Sequence, residues 1–210
     1  MNKLNISLYF ITDSTGFTLD KFLETVDSAC KGGASIVQLR EKNKSTREYL
    51  QLALEVKKIT DKYKVPLIID DRVDIALASE AAGVHLGNED MPVSVARKLM
   101  GENKIIGATA KTVESAIKAE KDGADYIGTG AIFPTTTKVK TVLTPVSTLK
   151  DICKNVKIPV CAIGGLNYEN CDILEGSGIS GVAVVSAIMK SNDPEKEASK
   201  FKNKIINKLI

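Results

Sequence analysis

Residues 66–87, PLIIDDRVDIALASEAAGVHLG, hold two short apolar runs, PLIIDD (66–71) and GVHLG (83–87), on either side of a stretch of helical periodicity. Both runs are apolar at nearly every position, as strands covered on both faces must be. The glycine of AAGV ends the helix directly before the second run, where it can take the left-handed conformation. The unit recurs in both directions. Upstream lie LYFITD (8–13) and SIVQLRE (35–41); downstream lie KIIGAT (104–109), YIGTGA (126–131), PVCAIGG (159–165) and GVAVVS (181–186). GGAS, DGAD and GSGISG stop the intervening helices as AAGV does.

The helices carry their own signals. Leu19, Phe22, Leu23, Val26 and Cys30 mark one apolar face at spacings of three and four. Ser45 with Glu48 three residues later is a capping box. Asp193 followed by Pro194 predicts the start of the last helix, which continues through Ala198, Phe201, Ile205 and Leu209. Eight such units predict an α/β fold, a single (β/α)8 TIM barrel over residues 1–210. A doubly wound open sheet is the alternative, and the strand count argues against it.

Composition narrows the function. The chain has 210 residues, 43% apolar and 26% charged, which suits a packed core and excludes a disordered chain. No apolar run is long enough to span a membrane, and Leu8–Ile11 is too short for a signal peptide. A net charge of +3, with only four arginines, gives no reason to expect nucleic acid or an anionic membrane as partner. Cys30, Cys153, Cys161 and Cys171 form no CxxC and sit in apolar patterns, so they read as reduced cysteines of a cytoplasmic protein.

In a barrel of this kind, functional groups collect at the C-terminal ends of the strands. Those positions hold Gln38, Arg40 and Lys42; Asp70, Asp71, Arg72 and Asp74; Asn88, Glu89 and Asp90; Thr109; Pro134 to Lys138; Gly164 and Gly165; and Val185 and Ser186. Gly164-Gly165 with Ser186 reads as a phosphate site using bare backbone N–H groups, or simply as a turn out of a strand. Arg40, Lys42 and Lys138 read as an anion site whose mutual repulsion a charged ligand or the aspartates must offset, or as solvated cations. Gln38 and Arg40 alternate on an apolar strand and should point into the barrel. Asp71 and Asp90 end neighbouring strands and could hold magnesium, or each could cap the helix that follows. His85 reads as a hydrogen-bonded interior histidine, since no nucleophile or metal-ligand spacing accompanies it.

QLREK (38–42), DDRVDIALASEAAGVHLGNEDMP (70–92), KDGADYIGTGAIFPTTTK (121–138), CAIGGLNYEN and GVAVVSAI closely resemble the thiamine phosphate synthase family, in order along essentially the whole chain. The resemblance implies a magnesium-dependent transferase. It would join 4-amino-2-methyl-5-hydroxymethylpyrimidine diphosphate to 4-methyl-5-(2-hydroxyethyl)thiazole phosphate, or its carboxylated form, through a pyrimidine cation. It further implies that Arg40, Lys42 and Lys138 hold the diphosphate, Asp71 and Asp90 the magnesium, and Gln38 the pyrimidine. Thr109, where the family usually has serine, would place a hydroxyl near the reacting centre. Thr135, Thr137 and the backbone at Gly165, Val185 and Ser186 would receive the thiazole phosphate. Two departures stand out: Asp70 where the family usually has asparagine, and Asn88 for glutamine. An ionised aspartate repels a diphosphate where an asparagine donates to it.

Two other readings stay open. A thiazole tautomerase of the same superfamily would need a histidine at about Lys111, and the intact QLREK and PTTTK argue against it. A non-catalytic phosphate-binding barrel is suggested by Asp70 alone. The helices could supply the face of a homodimer.

Overall fold

The computed structural model describes residues 4–135 and 142–210. Eight parallel strands pair in sequence order and close into a barrel: β1 (Leu8–Ile11), β2 (Ile36–Leu39), β3 (Leu67–Asp70), β4 (Gly83–Leu86), β5 (Ile105–Thr109), β6 (Tyr126–Gly130), β7 (Val160–Ile163) and β8 (Gly181–Val184). The ladder between β1 and β8, with Tyr9 opposite Ala183, excludes the open sheet.

Helices α1 (Leu19–Lys31), α2 (Thr46–Lys62), α3 (Val73–Ala78), α4 (Val93–Met100), α5 (Val113–Lys121) and α6 (Val146–Asn155) follow the first six strands in turn. The segment after β7 forms only a 3-10 turn, Cys171–Leu174, where the GSGISG signal predicts the end of a helix. Gly164, Gly165, Gly176 and Gly178 all have positive φ and bracket this segment. After β8 come the single-turn α7 (Ser186–Met189) and then α8 (Pro194–Lys204), which runs on as a π turn over Ile205–Leu209.

The local signals act as expected in two of three helices. Ser45 and Glu48 bond reciprocally at the start of α2, and the Asp193 side chain accepts from the Lys196 N–H at the start of α8. Ala198, Phe201, Ile205 and Leu209 are all buried. On α1, Phe22, Val26 and Cys30 are buried, but Leu19 is 57% exposed because it lies in the first turn, beyond the edge of the barrel.

Strand alternation divides the core in two. Leu8, Phe10, Val37, Leu39, Ile69 and Val84 face the helices, while Tyr9, Ile36, Ile68, Tyr126, Cys161 and Ala183 fill the barrel. All four cysteines are free. Burial pushes the Cys30 and Cys161 thiols up to about 12 and Cys153 to about 11, so none supplies a thiolate nucleophile. Among the described residues, no helix is long and apolar enough to cross a membrane.

Phe201 joins α8 to this outer core, fully buried and edge-on to Tyr168. Phe201→Ala is expected to cost about 3–5 kcal/mol of stability. Urea unfolding followed by circular dichroism checks this, and a loss under 1 kcal/mol would mean that α8 is only loosely docked.

Candidate functional site at the barrel mouth

Parallel pairing brings the C-terminal ends of all eight strands to one rim, and the register sets which side chains meet there. Asp70 lies opposite His85, Ile68 opposite Gln38, and Thr109 opposite Gly128. Tyr49 of α2 ties β2 to β3, its hydroxyl donating to the carbonyls of Leu39 (2.7 Å) and Asp70 (3.2 Å). The Arg40 N–H bonds the Thr12 hydroxyl, which fixes β2 to the loop after β1.

Gln38 and Arg40 take the inward direction that alternation predicts. Gln38 is buried and its amide Nε2 donates to Tyr9 Oη at 2.8 Å. The Arg40 Nε lies 3.6 Å from Asp70 Oδ2, and Lys42 Nζ lies 2.8 Å from the same oxygen. Lys42 also pairs with Asp71. The aspartates therefore provide the offset that two adjacent cations require, and Asp70 takes its partners from the segment that follows β2. Arg72 plays no part, because it pairs with Asp74 and donates to Thr46.

Burial, then the neighbouring Asp71 charge, raise Asp70 to about 6. For Asp71, burial works against the charge, but bonds from Lys42 and to Asp90 hold it below the usual carboxylate range. Asp90 is raised, first by burial and then by its contact with Asp71. The ammonium of Lys42 is raised despite burial because Asp70 and Asp71 surround it.

Neither Asp71 nor Asp90 is a helix cap. Asp71 sits at φ 62°, a conformation Asp tolerates better than most residues, and α3 begins after Arg72 without a side-chain cap. Helix α4 begins after Pro92, also without one, while Asp90 Oδ2 accepts from the Gly87 N–H at 2.7 Å. The two carboxylates lie close enough to shift each other's ionisation. Among the described residues no group of three or more His, Cys, Asp or Glu side chains could hold a metal ion. A pair of carboxylates fits magnesium, which takes its other ligands from water and phosphate and would offset the negative charge that Asp71 and Asp90 bring together.

On the opposite side of the mouth, Gly164 and Gly165 have φ of 100° and 62°. A Cβ at Gly164 would lie 2.3 Å from that of Ala131, and one at Gly165 would lie 2.5 Å from the Pro134 carbonyl oxygen. The loop after β6 packs directly on these residues, with the Phe133 N–H bonding the Gly164 carbonyl. The two glycines thus serve that packing whether or not an anion binds, and a bulky residue at Gly165 would displace the loop before it tested any ligand. Val185 precedes the first turn of α7, and Ser186 opens it, exposed. Thr135 is half-buried beyond Pro134, whereas Thr137 and Lys138 lie outside the described residues. Asn88 is exposed at the tip of the loop after β4.

The sequence reading missed three participants. Tyr9 and Tyr126 occupy inward positions on β1 and β6, with hydroxyls 2.6 Å apart. Glu41 accepts from Ser14 Oγ at 2.7 Å, tethering the loop after β1. A phenol at an inward position of a strand was the available signal, since a buried hydroxyl needs a partner. Two surface grooves of about 610 and 460 Å3 run along α1 and α2 and include none of Arg40, Asp70 or Asp71.

The thiamine monophosphate synthase family model matches residues 8–188. The chain belongs to the thiamine-phosphate synthase family. It is 56% identical over 209 residues to thiamine-phosphate synthase 2 of Streptococcus pneumoniae serotype 4, covering 100% of both chains. It is 50% identical over 195 residues to a thiamine-phosphate synthase of Methanobrevibacter smithii, covering 93% of each. The solved structure of thiamine phosphate pyrophosphorylase from Pyrococcus furiosus superposes with a TM-score of 0.87 at 40% identity, covering 97% of this chain and 96% of that one. Within this family member, Asp70 is held by Arg40 and Lys42.

Removing the Asp70 charge would leave both cations freer to meet an anion. Asp70→Asn is expected to tighten binding of inorganic pyrophosphate with magnesium by about 1 kcal/mol, or roughly fivefold. Titration calorimetry measures it. Weaker magnesium binding in the variant would instead make Asp70 a metal ligand.

Proposed function

We propose that this chain condenses 4-amino-2-methyl-5-hydroxymethylpyrimidine diphosphate with 4-methyl-5-(2-hydroxyethyl)thiazole phosphate, or its 2-carboxy form, to give thiamine phosphate and pyrophosphate. The observation that carries this reading is the cluster of Arg40, Lys42, Asp71 and Asp90 at the strand ends of a barrel of this family. The bond between the pyrimidine methylene carbon and the diphosphate oxygen breaks with its electron pair leaving on oxygen. The thiazole nitrogen then supplies the pair for the new carbon–nitrogen bond.

No general base is needed, because that nitrogen already carries a lone pair. This agrees with a site whose one histidine is engaged at both ring nitrogens and whose buried thiols stay protonated. Arg40 and Lys42 act on the leaving diphosphate, where charge grows as the bond stretches and preorganised cations act most strongly. As the diphosphate enters, they exchange part of their pairing with Asp70 and Asp71 for phosphate oxygens. Magnesium held by Asp71 and Asp90 would supply further charge neutralisation of the leaving group when bound. Gln38 orients the pyrimidine and Thr109 places its hydroxyl by the reacting carbon. Thr135, with the backbone at Gly165, Val185 and Ser186, faces the thiazole phosphate; Thr137 and Lys138, which the resemblance also assigns to the anion sites, lie outside the described residues. The reduced thiols suit a cytoplasmic enzyme.

Incubation of both substrates with magnesium, followed by chromatography of thiamine phosphate and a pyrophosphate assay, tests the reading. Product is expected only with both substrates present, and its absence would leave a phosphate-binding barrel without turnover. EDTA should abolish turnover. Asp71→Ala and Asp90→Ala should each move the magnesium dependence upward by at least roughly tenfold, the lower end of what even outer-shell changes cost. Full activity in EDTA would remove the metal from the reaction.

A further inference from the structure

A chain of hydrogen bonds crosses the barrel interior beneath the mouth. Gln38 Nε2 donates to Tyr9 Oη (2.8 Å), Tyr9 Oη meets Tyr126 Oη (2.6 Å), Tyr126 Oη meets His85 Nδ1 (3.0 Å), and His85 Nε2 meets Thr109 Oγ1 (3.0 Å). It joins β2 to β5 through β1, β6 and β4, and both of its ends are residues assigned above to the reacting substrate. Space has been reserved for it. A Cβ at Gly107 would lie 2.1 Å from Tyr126 Cζ and 2.5 Å from His85 Nδ1.

The proton count orders the chain. A phenol has one proton to give, and Tyr9 and Tyr126 are essentially fully buried, where an unplaced hydroxyl proton is costly. Because Tyr9 accepts from the Gln38 amide, its proton goes to Tyr126. Tyr126 then gives its own to His85 Nδ1, which must be unprotonated. The imidazole therefore carries its hydrogen on Nε2 and donates to Thr109. Thr109, accepting there, has its hydroxyl proton left to give. Reversing every bond is allowed only if the Gln38 amide is turned over, so the imidazole tautomer and the Gln38 orientation are one property read at two places.

We infer that Tyr9, Tyr126 and His85 are positioning residues that set the polarity of both ends of the site, so that Gln38 turns its carbonyl oxygen, and Thr109 its hydroxyl proton, toward the bound pyrimidine diphosphate. The chain then selects a substrate that offers a donor beside β2 and an acceptor beside β5, and it rejects the opposite arrangement. The roles of the two end residues rest on the proposed function; the proton order does not.

The chain has a single histidine, so long-range proton–nitrogen correlation spectra of labelled protein read its tautomer without assignment. In the ligand-free wild type at neutral pH, the proton is expected on Nε2, with Nδ1 bare. In Tyr126→Phe, which removes the donor to Nδ1, a mixture of tautomers is expected. A proton on Nδ1, or an imidazolium, in the wild type would overturn the proton order, whatever the enzyme's activity. In kinetics, Tyr126→Phe is expected to raise KM for the pyrimidine diphosphate by about fivefold or more, with KM for the thiazole phosphate unchanged. A wild-type KM in a variant whose tautomer has shifted would overturn the positioning role. A chain with no turnover at all would fail the proposed function and leave the spectroscopic result standing. Should Tyr126→Phe fold poorly, Tyr9→Phe breaks the same chain one bond nearer Gln38. The same rise in KM for the pyrimidine diphosphate is expected, while the tautomer should stay on Nε2 because Tyr126 still donates to Nδ1. An unchanged KM or a shifted tautomer in this variant would overturn the proposal.

Discussion

Everything at the mouth depends on the ladder between the first strand and the last. With Leu8 opposite Val182 and Phe10 opposite Val184, the sheet has no edge, and every second side chain on every strand is forced into a shared interior. That interior is too narrow for eight large residues at each level. Glycine at Gly107 and Gly128 makes room for Tyr126 and His85, and polar groups are admitted only where each can bond another. Ile36, Ile68 and Cys161 line the interior together with the two tyrosines, and the charged side chains are confined to the rim.

Charge at the rim follows from the same confinement. Two cations from the segment just after β2 and two carboxylates at the end of β3 lie within a few ångströms of one another, with Asp90 beside them. They neutralise each other, so the arrangement costs less than four unpaired charges at the same places would. An anion with several oxygens can take over the cations only if the released carboxylates find another positive partner. This makes recognition of an anion and recognition of a divalent cation two halves of one exchange.

The barrel itself was legible in the sequence because its signals are local. Strand runs, the Ser45–Glu48 box and the Asp193-Pro194 start each need only a few neighbouring residues to be recognised. The inward direction of Gln38 and Arg40 followed from alternation alone. Asp71 and Asp90 were ambiguous because an aspartate before a helix caps it or not according to one backbone angle, and composition does not encode the left-handed turn at Asp71. Leu19 fits its apolar face by spacing but lies past the end of the surface that face covers. The bond between Tyr9 and Tyr126 joins residues 117 positions apart, and only barrel closure brings them together. Lys138 and Thr137 lie outside the described residues.

The packing of the β6 loop on Gly164 and Gly165 bears on how this barrel can change over time. Barrel loops are usually treated as independent parts, exchangeable one at a time on a common scaffold. Here two successive loops interlock, the glycines of one lying flush against Ala131, Phe133 and Pro134 of the other, so the pair behaves as one inheritable unit. A loop transplanted from a relative after β6 would have to bring its partner after β7 with it, and a chimera that divides them would join two surfaces shaped for other neighbours.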